Sequence, residues 1–295
     1  MFRKMLIVLI LGQLAVSAVA SSSVVYSKVK VGRTVADMVT VNLADPEVKV
    51  SVALARGGTG RSEPFKSIVN RTHPSAAISG TFFDTRTYIP TGDIAVFGTV
   101  VHTGCIGSAL CIGKDNKAEI VPLSTGRKQG WSNYETVLCA GPVLVARGKV
   151  AINLQREGFH GSLYAPATRT AVGITRSGKL VLAAINHKTT LYEIARVLIA
   201  VGVNDALCLD GGSSTGFYAS NKFMAVPYRR LTNLLVVYPK SSDYENAKMA
   251  LAPASLFPKP AAPLPMQEPS LLKISLLPPD IAIPRNVEWH QSPEH

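Results

Sequence analysis

The chain has 295 residues, 47% of them hydrophobic, enough to bury a substantial core in one large domain or two small ones. Its formal charge is +12, or +10 once Arg3 and Lys4 leave with an N-terminal leader, which points to anionic partners: phosphorylated glycans, anionic lipid or nucleic acid. No aromatic-and-basic stripe of the kind RNA platforms use is present, which sets nucleic acid aside.

Residues 1–20 read as a signal peptide. Arg3 and Lys4 form the charged start, Met5 to Val16 the apolar segment, and Ala18-Val19-Ala20 the small-residue cleavage site before Ser21. The apolar run is short for a membrane span, and no later stretch could cross a bilayer. The expected location is therefore secreted or periplasmic, with no integral membrane span.

Val24 to Val31 and Asp37 to Leu43 alternate as strands. Ala44-Asp45-Pro46-Glu47 turns into a strand from Val48 to Ala55, and together these suggest an opening meander. Glu63 to Arg71 reads as a short helix with Ser62 as N-cap. Ala76 to Asp84 is an apolar strand running into small and polar residues, and Ile94 to Val101 is a β-like segment ending at His102. Cys139 to Val145 begins a strand, and Ala146 to Val150 reads as a hairpin. Residues 153–168 form a polar loop of a length that is often functional.

Arg169 to Ile174 and Leu180 to Ile185 read as strands joined by a hairpin turn. A helix from Leu191 to Val201 has Thr190 and Glu193 as a capping box, and Gly202 ends it. Leu231 to Tyr238 is the last strand. About half the prolines lie in Pro253 to Pro293, so residues 245–295 read as a proline-rich, mostly disordered tail. Of the four cysteines, Cys105 and Cys111 lie close enough in sequence to staple a loop. Cys139 and Cys208 sit in apolar runs as buried thiols or a second bridge, and the spacing fits no common zinc pattern.

The stretch from Asn204 to Tyr218 organises the chain. The apolar run Ala206 to Leu209 reads as a buried strand with Asp210 at its end, where a carboxylate can face a cleft. Gly211 and Gly212 permit a sharp turn and leave backbone N–H groups bare. Beside Ser213, Ser214 and Thr215, those groups can cradle an anion such as phosphate. Read plainly, the same residues are a tight turn capped by Asp210. Gly212 to Gly216 also fits the G-x-S-x-G nucleophile elbow, which needs a helix after it. Phe217 to Phe223, with its Ser220-Asn221 pair, reads instead as a strand and hairpin. The end of the Ala76–Asp84 strand has the same form as the 206–210 strand end, and two such ends side by side would make a cleft.

Several motifs in order resemble the phosphodiester glycosidase family over roughly residues 45–238. They are Ile78-Ser79-Gly80-Thr81-Phe82-Phe83-Asp84, Pro90-x-Gly92, Ala140-Gly141-Pro142-Val143-Leu144-Val145, Arg169-Thr170-Ala171-Val172-Gly173, and Leu209-Asp210-Gly211-Gly212-Ser213-Ser214-Thr215. Ser79 stands where the family usually has Asn, one glycine of the usual triple after Asp210 is missing, and Asn186-His187 replaces a common Asp-Gly pair. The resemblance implies cleavage of the bond between a sugar's anomeric carbon and a phosphate.

On that basis Asp210 is expected as the catalytic carboxylate, acting as base or as stabiliser of an oxocarbenium-like state. Arg169 is expected to bind phosphate through a two-pronged contact, and Asp84 to be the second carboxylate. Their plainer readings are a turn cap, a structural ion pair and a turn residue. Gly211, Gly212, Ser213, Ser214 and Thr215 form the expected anion cradle, with Gly80 and Thr81 on the facing wall. His102, His160 and His187 could each shuttle protons, but none stands out. No cofactor is expected; a divalent cation near Asp84 or Asp210 is compatible with the sequence, but no ligand cluster demands one. The expected fold is α+β, one domain over residues 24–240 built on mixed β-sheets with few helices. The expected function is a hydrolase of a sugar-1-phosphodiester in a glycan or envelope polymer. The alternative is a non-catalytic binder of anionic glycan or cell-wall polymer using the same cleft.

Overall fold

The computed structural model describes residues 22–104, 106–123, 130–159 and 161–257. The leader at 1–20, Cys105 with its suggested bridge to Cys111, His160, and the tail from 258 onward lie outside the described residues. Strands β1 (Val24–Val31) and β2 (Thr34–Val41) form the opening hairpin, which turns through Gly32 at φ +58°. β3 (Lys49–Leu54), helix α1 (Phe65–Thr72) and β4 (Ala76–Ser79) come next. The middle of the chain supplies β5 (Ile94–Val96), β6 (Thr99–His102), β7 (Ser108–Gly113), β8 (Ala118–Val121) and β9 (Tyr134–Ala140). The hairpin of β10 (Val143–Ala146) and β11 (Lys149–Val150) precedes the long strands β12 (Ala167–Thr175) and β13 (Leu180–Thr189). Helix α2 (Leu191–Ala200), β14 (Val203–Leu209), β15 (Phe217–Ala219), β16 (Lys222–Ala225), β17 (Asn233–Tyr238) and helix α3 (Ser241–Leu251) complete the chain.

These strands form three sheets. One has seven strands in the order β1-β2-β13-β12-β14-β10-β11; two have five, in the orders β16-β15-β4-β17-β3 and β6-β5-β9-β7-β8. Period-2 alternation gives each sheet one face for a shared core, where Val172, Leu182, Leu207 and Leu209 meet Val52, Ile78, Leu235 and Val237, and Leu110 and Leu138. The opposite faces are covered separately. Ala206 and Cys208 of β14 pack under Leu191, Ile194 and Leu198 of α2. Ala77 and Val236 pack under Phe65, Ile68 and Val69 of α1 and Tyr244, Ala247 and Leu251 of α3. The result is an α+β, mostly-β fold.

Local chemistry accounts for most boundaries. The Thr190 hydroxyl accepts from Glu193 N–H, and the Glu193 carboxylate accepts from Thr190 N–H, the capping box expected at α2. Ser220 and Asn221, at φ +49° and +58°, turn β15 into β16 as the Ser-Asn pair suggested.

Five expectations are corrected. The sheets are not mixed: every strand pairing among the described residues is antiparallel. β3 leaves the opening hairpin and pairs with β17, so no meander forms. The 94–102 segment is two strands, bent back at Phe97 and Gly98. α1 begins after Pro64 without a side-chain cap, because Glu63 instead bridges Leu231 and ion-pairs with Arg71 at 2.7 Å. Residues 245–257, placed in the expected tail, are structured instead: α3 runs on to Leu251 and a 3₁₀ turn follows at Ala254–Leu256. The weak Tyr244, Ala247, Leu251 stripe of α3 packs on β3 and β17, and it carried too few apolar residues to show as a periodic pattern. Cys139 and Cys208 are separate free thiols, buried on the outer faces of two different sheets.

Candidate active site

The two strand ends expected side by side are joined directly. Asp210 succeeds β14 in one sheet, and Gly80 succeeds β4 in another. The Asp210 N–H donates to the Gly80 carbonyl at 3.0 Å. From the other side, the Thr170 hydroxyl donates to the Asp210 carbonyl at 2.7 Å. Both backbone groups of Asp210 are thus fixed by elements remote in sequence.

The next residues turn sharply. Gly211 is extended, Gly212 sits at φ +59°, and Gly212–Ser214 makes one 3₁₀ turn closed by Ser214 N–H to Gly211 O and Thr215 N–H to Gly212 O. A Cβ on Gly211 would lie 2.8 Å from the Thr168 carbonyl, so only glycine lets the turn approach β12 this closely. The Thr168 hydroxyl bonds Gly212 O at 2.9 Å and Thr215 Oγ1 at 2.7 Å. Among the described residues the N–H groups of Gly212 and Ser213 donate to no protein acceptor. Two adjacent, part-exposed N–H donors at the end of a strand can hold an anion. After Thr215 the chain enters strand β15, not a helix, so the G-x-S-x-G match lacks the structure a nucleophile elbow requires.

Burial governs the electrostatics of Asp210. It keeps some exposed surface yet lies deep among protein groups, and this desolvation pushes its pKa up to about 7. The Ser214 side chain, the positive charge of Arg229 and the Gly211 N–H oppose that rise. A carboxyl poised near neutrality can both accept and release a proton under physiological conditions.

The remaining residues of the expected cradle serve the turn more than an open cleft. Ser213 carries the turn, accepting the Tyr228 N–H at its carbonyl at 2.9 Å. Ser214 is buried beside Asp210. Gly80 packs so tightly on Asn233 that a Cβ would fall 1.8 Å from its Oδ1. Thr81 is on the facing wall by its backbone only: its N–H donates to Asn233 Oδ1 at 3.0 Å, and its hydroxyl turns inward to the Cys139 carbonyl. Ser79 is fully buried; its hydroxyl bonds Ser214 O at 2.5 Å and accepts from Gly216 N–H at 2.7 Å. It ties the turn to β4 rather than lining a cleft.

Asp84 is exposed and caps its own turn. One carboxylate oxygen accepts from Arg86 N–H, Thr87 N–H and the Thr87 hydroxyl, and these bonds hold its pKa down. Arg169 lies across from the Asp210 backbone, but its guanidinium is buried and occupied. It donates to the carbonyls of Leu163 at 2.8 Å, Ala165, and Thr189 at 3.3 Å. Burial lowers its pKa. In this place Arg169 straps the 161–166 segment to β13. Replacing it with Lys loses the planar fork that serves three carbonyls. Arg169→Lys is expected to cost about 2–3 kcal/mol, read as a lower midpoint in thermal unfolding and faster protease cleavage near 161–166.

Of the histidines, His102 bonds the Pro90 carbonyl at 2.7 Å, and His187 is exposed. Among the described residues no group of three or more His, Cys, Asp or Glu is placed to hold a metal ion. A cavity of about 620 Å³ opens at the far end of β12, lined by Lys49, Lys114, Lys117 and Gly178, and holds none of the candidate residues.

Three residues that shape the site, and one buried carboxylate whose hydrogen bonds lie elsewhere, were not singled out from sequence. Asn233, buried at the head of β17, fixes Gly80 and Thr81; a polar residue opening an apolar strand was its signal. Thr168 and Thr170, on β12, carried no signal beyond lying beside Arg169. Glu157 is a buried carboxylate that accepts the Ser108 hydroxyl at 2.7 Å and Val143 N–H at 2.9 Å. Desolvation raises its pKa. It lay inside the polar loop with nothing local to mark it.

The chain is thus an antiparallel α+β fold in which a carboxyl whose pKa is raised by burial ends a strand and leads into a glycine turn, without the helix that a serine nucleophile elbow requires. The sequence pattern described as Phosphodiester glycosidase matches residues 72–238, more than half the chain, and the chain belongs to that family. No curated protein matches it. Among solved structures it is similar to a hypothetical protein from Synechocystis, at 17% identity and TM-score 0.62, over 72% of this chain and 61% of that one. It thus spans less than two thirds of that protein's length. It is also similar to the zebrafish N-acetylglucosamine-1-phosphodiester alpha-N-acetylglucosaminidase catalytic domain, auto-inhibited by pro-peptide. There the identity is 20% and the TM-score 0.61, over 76% of this chain and 85% of that one. A Burkholderia pseudomallei protein described as exported matches at 14% identity and TM-score 0.55, over 70% and 74% of the two chains. At these identities the likeness is one of fold.

Proposed function

We propose that the protein is an exported or periplasmic hydrolase that cleaves a sugar-1-phosphodiester bond in a glycan or envelope polymer. The observation that carries this reading is Asp210: a carboxyl brought to about 7 by burial, beside two backbone N–H donors with no acceptor among the described residues, in the stretch that matches the family. The leaving group is a phosphate monoester, whose second pKa is about 6, so it departs with little protonation. The ionised form of Asp210 is then the working form, taking a proton from attacking water or stabilising positive charge at the anomeric carbon. Asp84, committed to its turn, is given no chemical part, and Arg169 positions the segment over β12 and β13.

The test is hydrolysis of a panel of sugar-1-phosphodiesters by the purified full chain, beside Asp210→Ala and Ser214→Ala. The expected result is turnover lost in Asp210→Ala and only reduced in Ser214→Ala. In the wild type, kcat/KM should rise with pH and level off above about 7, as Asp210 loses its proton. Saturable binding of a phosphorylated glycan with no turnover on any member would favour the alternative, a non-catalytic binder using the same N–H donors.

A further inference from the structure

We propose that Arg229, and not Arg169, receives the phosphate of the substrate. This rests on the phosphodiester reading above. A phosphodiester carries a negative charge, and here it must sit beside a carboxylate. Two backbone N–H groups do not offset that repulsion alone; a cation facing the same turn does. Three arginines lie near enough in the fold to be compared.

Arg169 is buried, and its guanidinium is spent on the carbonyls of Leu163, Ala165 and Thr189. Arg230 is spent on Ser62, with Nη2 donating to its carbonyl at 2.7 Å and Nε to its hydroxyl at 3.3 Å. Arg229 is exposed and, among the described residues, its side chain makes no hydrogen bond or ion pair.

Its position is fixed from the backbone. The segment between β16 and β17 passes over the Gly212–Ser214 turn, where Tyr228 N–H is bonded to the Ser213 carbonyl. Glu63 and Leu231 exchange both backbone hydrogen bonds at 2.9 Å on the other side. Arg229 lies between these two anchors, and its charge reaches Asp210. The space above the turn is open, since a Cβ on Gly212 would meet nothing within 4 Å. An uncommitted guanidinium, an open glycine turn with free N–H donors, and a carboxylate are therefore held close together by the Tyr228–Ser213 backbone bond. Tyr228, 96% exposed, projects from the same anchored segment and offers an aromatic face beside it.

The experiment compares the full-length wild type with Arg229→Gln and Arg229→Lys in two assays. The first is binding of inorganic phosphate and of N-acetylglucosamine 1-phosphate by titration calorimetry. The second is hydrolysis of a sugar-1-phosphodiester and of an aryl glycoside whose leaving group carries no phosphate. Arg229→Gln is expected to weaken phosphate binding about tenfold and to raise KM for the phosphodiester by a similar factor, with kcat changed less. Its loss on the phosphodiester should exceed its loss on the aryl glycoside, and Arg229→Lys should recover part of both effects. Unchanged phosphate binding in Arg229→Gln, equal losses on the two substrates, or no phosphate binding by the wild type would overturn the assignment. A wild type that hydrolyses neither substrate removes the hydrolase reading alone, because the binding comparison still decides the role of Arg229.

Discussion

Asp210→Asn is expected to abolish most activity and at the same time to stabilise the protein above neutral pH. Loss of a working general base or charge stabiliser reduces kcat by about 10²–10⁴-fold. The stability effect stems from the raised pKa. Unfolded aspartate titrates near 3.9, and Asp210 in the fold near 7. Between those values the folded state binds the extra proton, so stability falls as pH rises through this window and stays low above it. The gap between these two values corresponds to a cost of up to about 4 kcal/mol at pH 8, which falls to nearly nothing by about pH 4. Asparagine has nearly the same shape and no charge to desolvate. The variant's unfolding midpoint should exceed the wild type's by several degrees at pH 8 and match it at pH 4. Thermal unfolding at the two pH values checks this; equal midpoints at both would mean that Asp210 ionises without cost and is not the poised group described above.

Gly80→Ala should be strongly disruptive to both the fold and the site. The added methyl would fall 1.8 Å from Asn233 Oδ1 and 3.0 Å from the Asn233 carbonyl. Asn233 cannot swing aside freely. It is buried, its Oδ1 holds Thr81 N–H, and its Nδ2 holds the Thr232 hydroxyl at 2.8 Å. Overpacking and the lost hydrogen bond together cost about 2–4 kcal/mol. Because the Gly80 carbonyl holds Asp210 N–H, activity should fall by about tenfold or more beyond what unfolding explains. Asn233→Ala removes the side chain that the methyl would strike. The double variant should therefore be less destabilised than the sum of the singles. Strict additivity would show that the contact with Asn233 is not the cause.

The apolar run of Ala206 to Leu209, the capping box at Thr190 and Glu193, and the Ser220-Asn221 turn were all legible in the sequence, because each is decided within a few residues. Asp210 to Thr215, with its glycines, acid and hydroxyls, also formed one contiguous signal, and the structure makes of it a strand end and a tight turn. Partnership was not legible. Nothing local says that β3 leaves the first hairpin for β17, or that α3 with three buried side chains is worth folding; both depend on the apolar face already waiting in the sheet.

The same distinction divides the arginines. Arg169 looked functional because it stands in a family-like motif, yet the fold surrounds it with carbonyls. Arg229 was not singled out in the sequence, yet a backbone bond from Tyr228 to Ser213 holds its segment against the turn. The sequence by itself determined that an acid would end the 206–209 strand and that a glycine turn would follow it. Only the tertiary structure decided that carboxylate's pKa, through burial and the charge of Arg229, since desolvation and charge proximity arise between residues that the chain keeps apart.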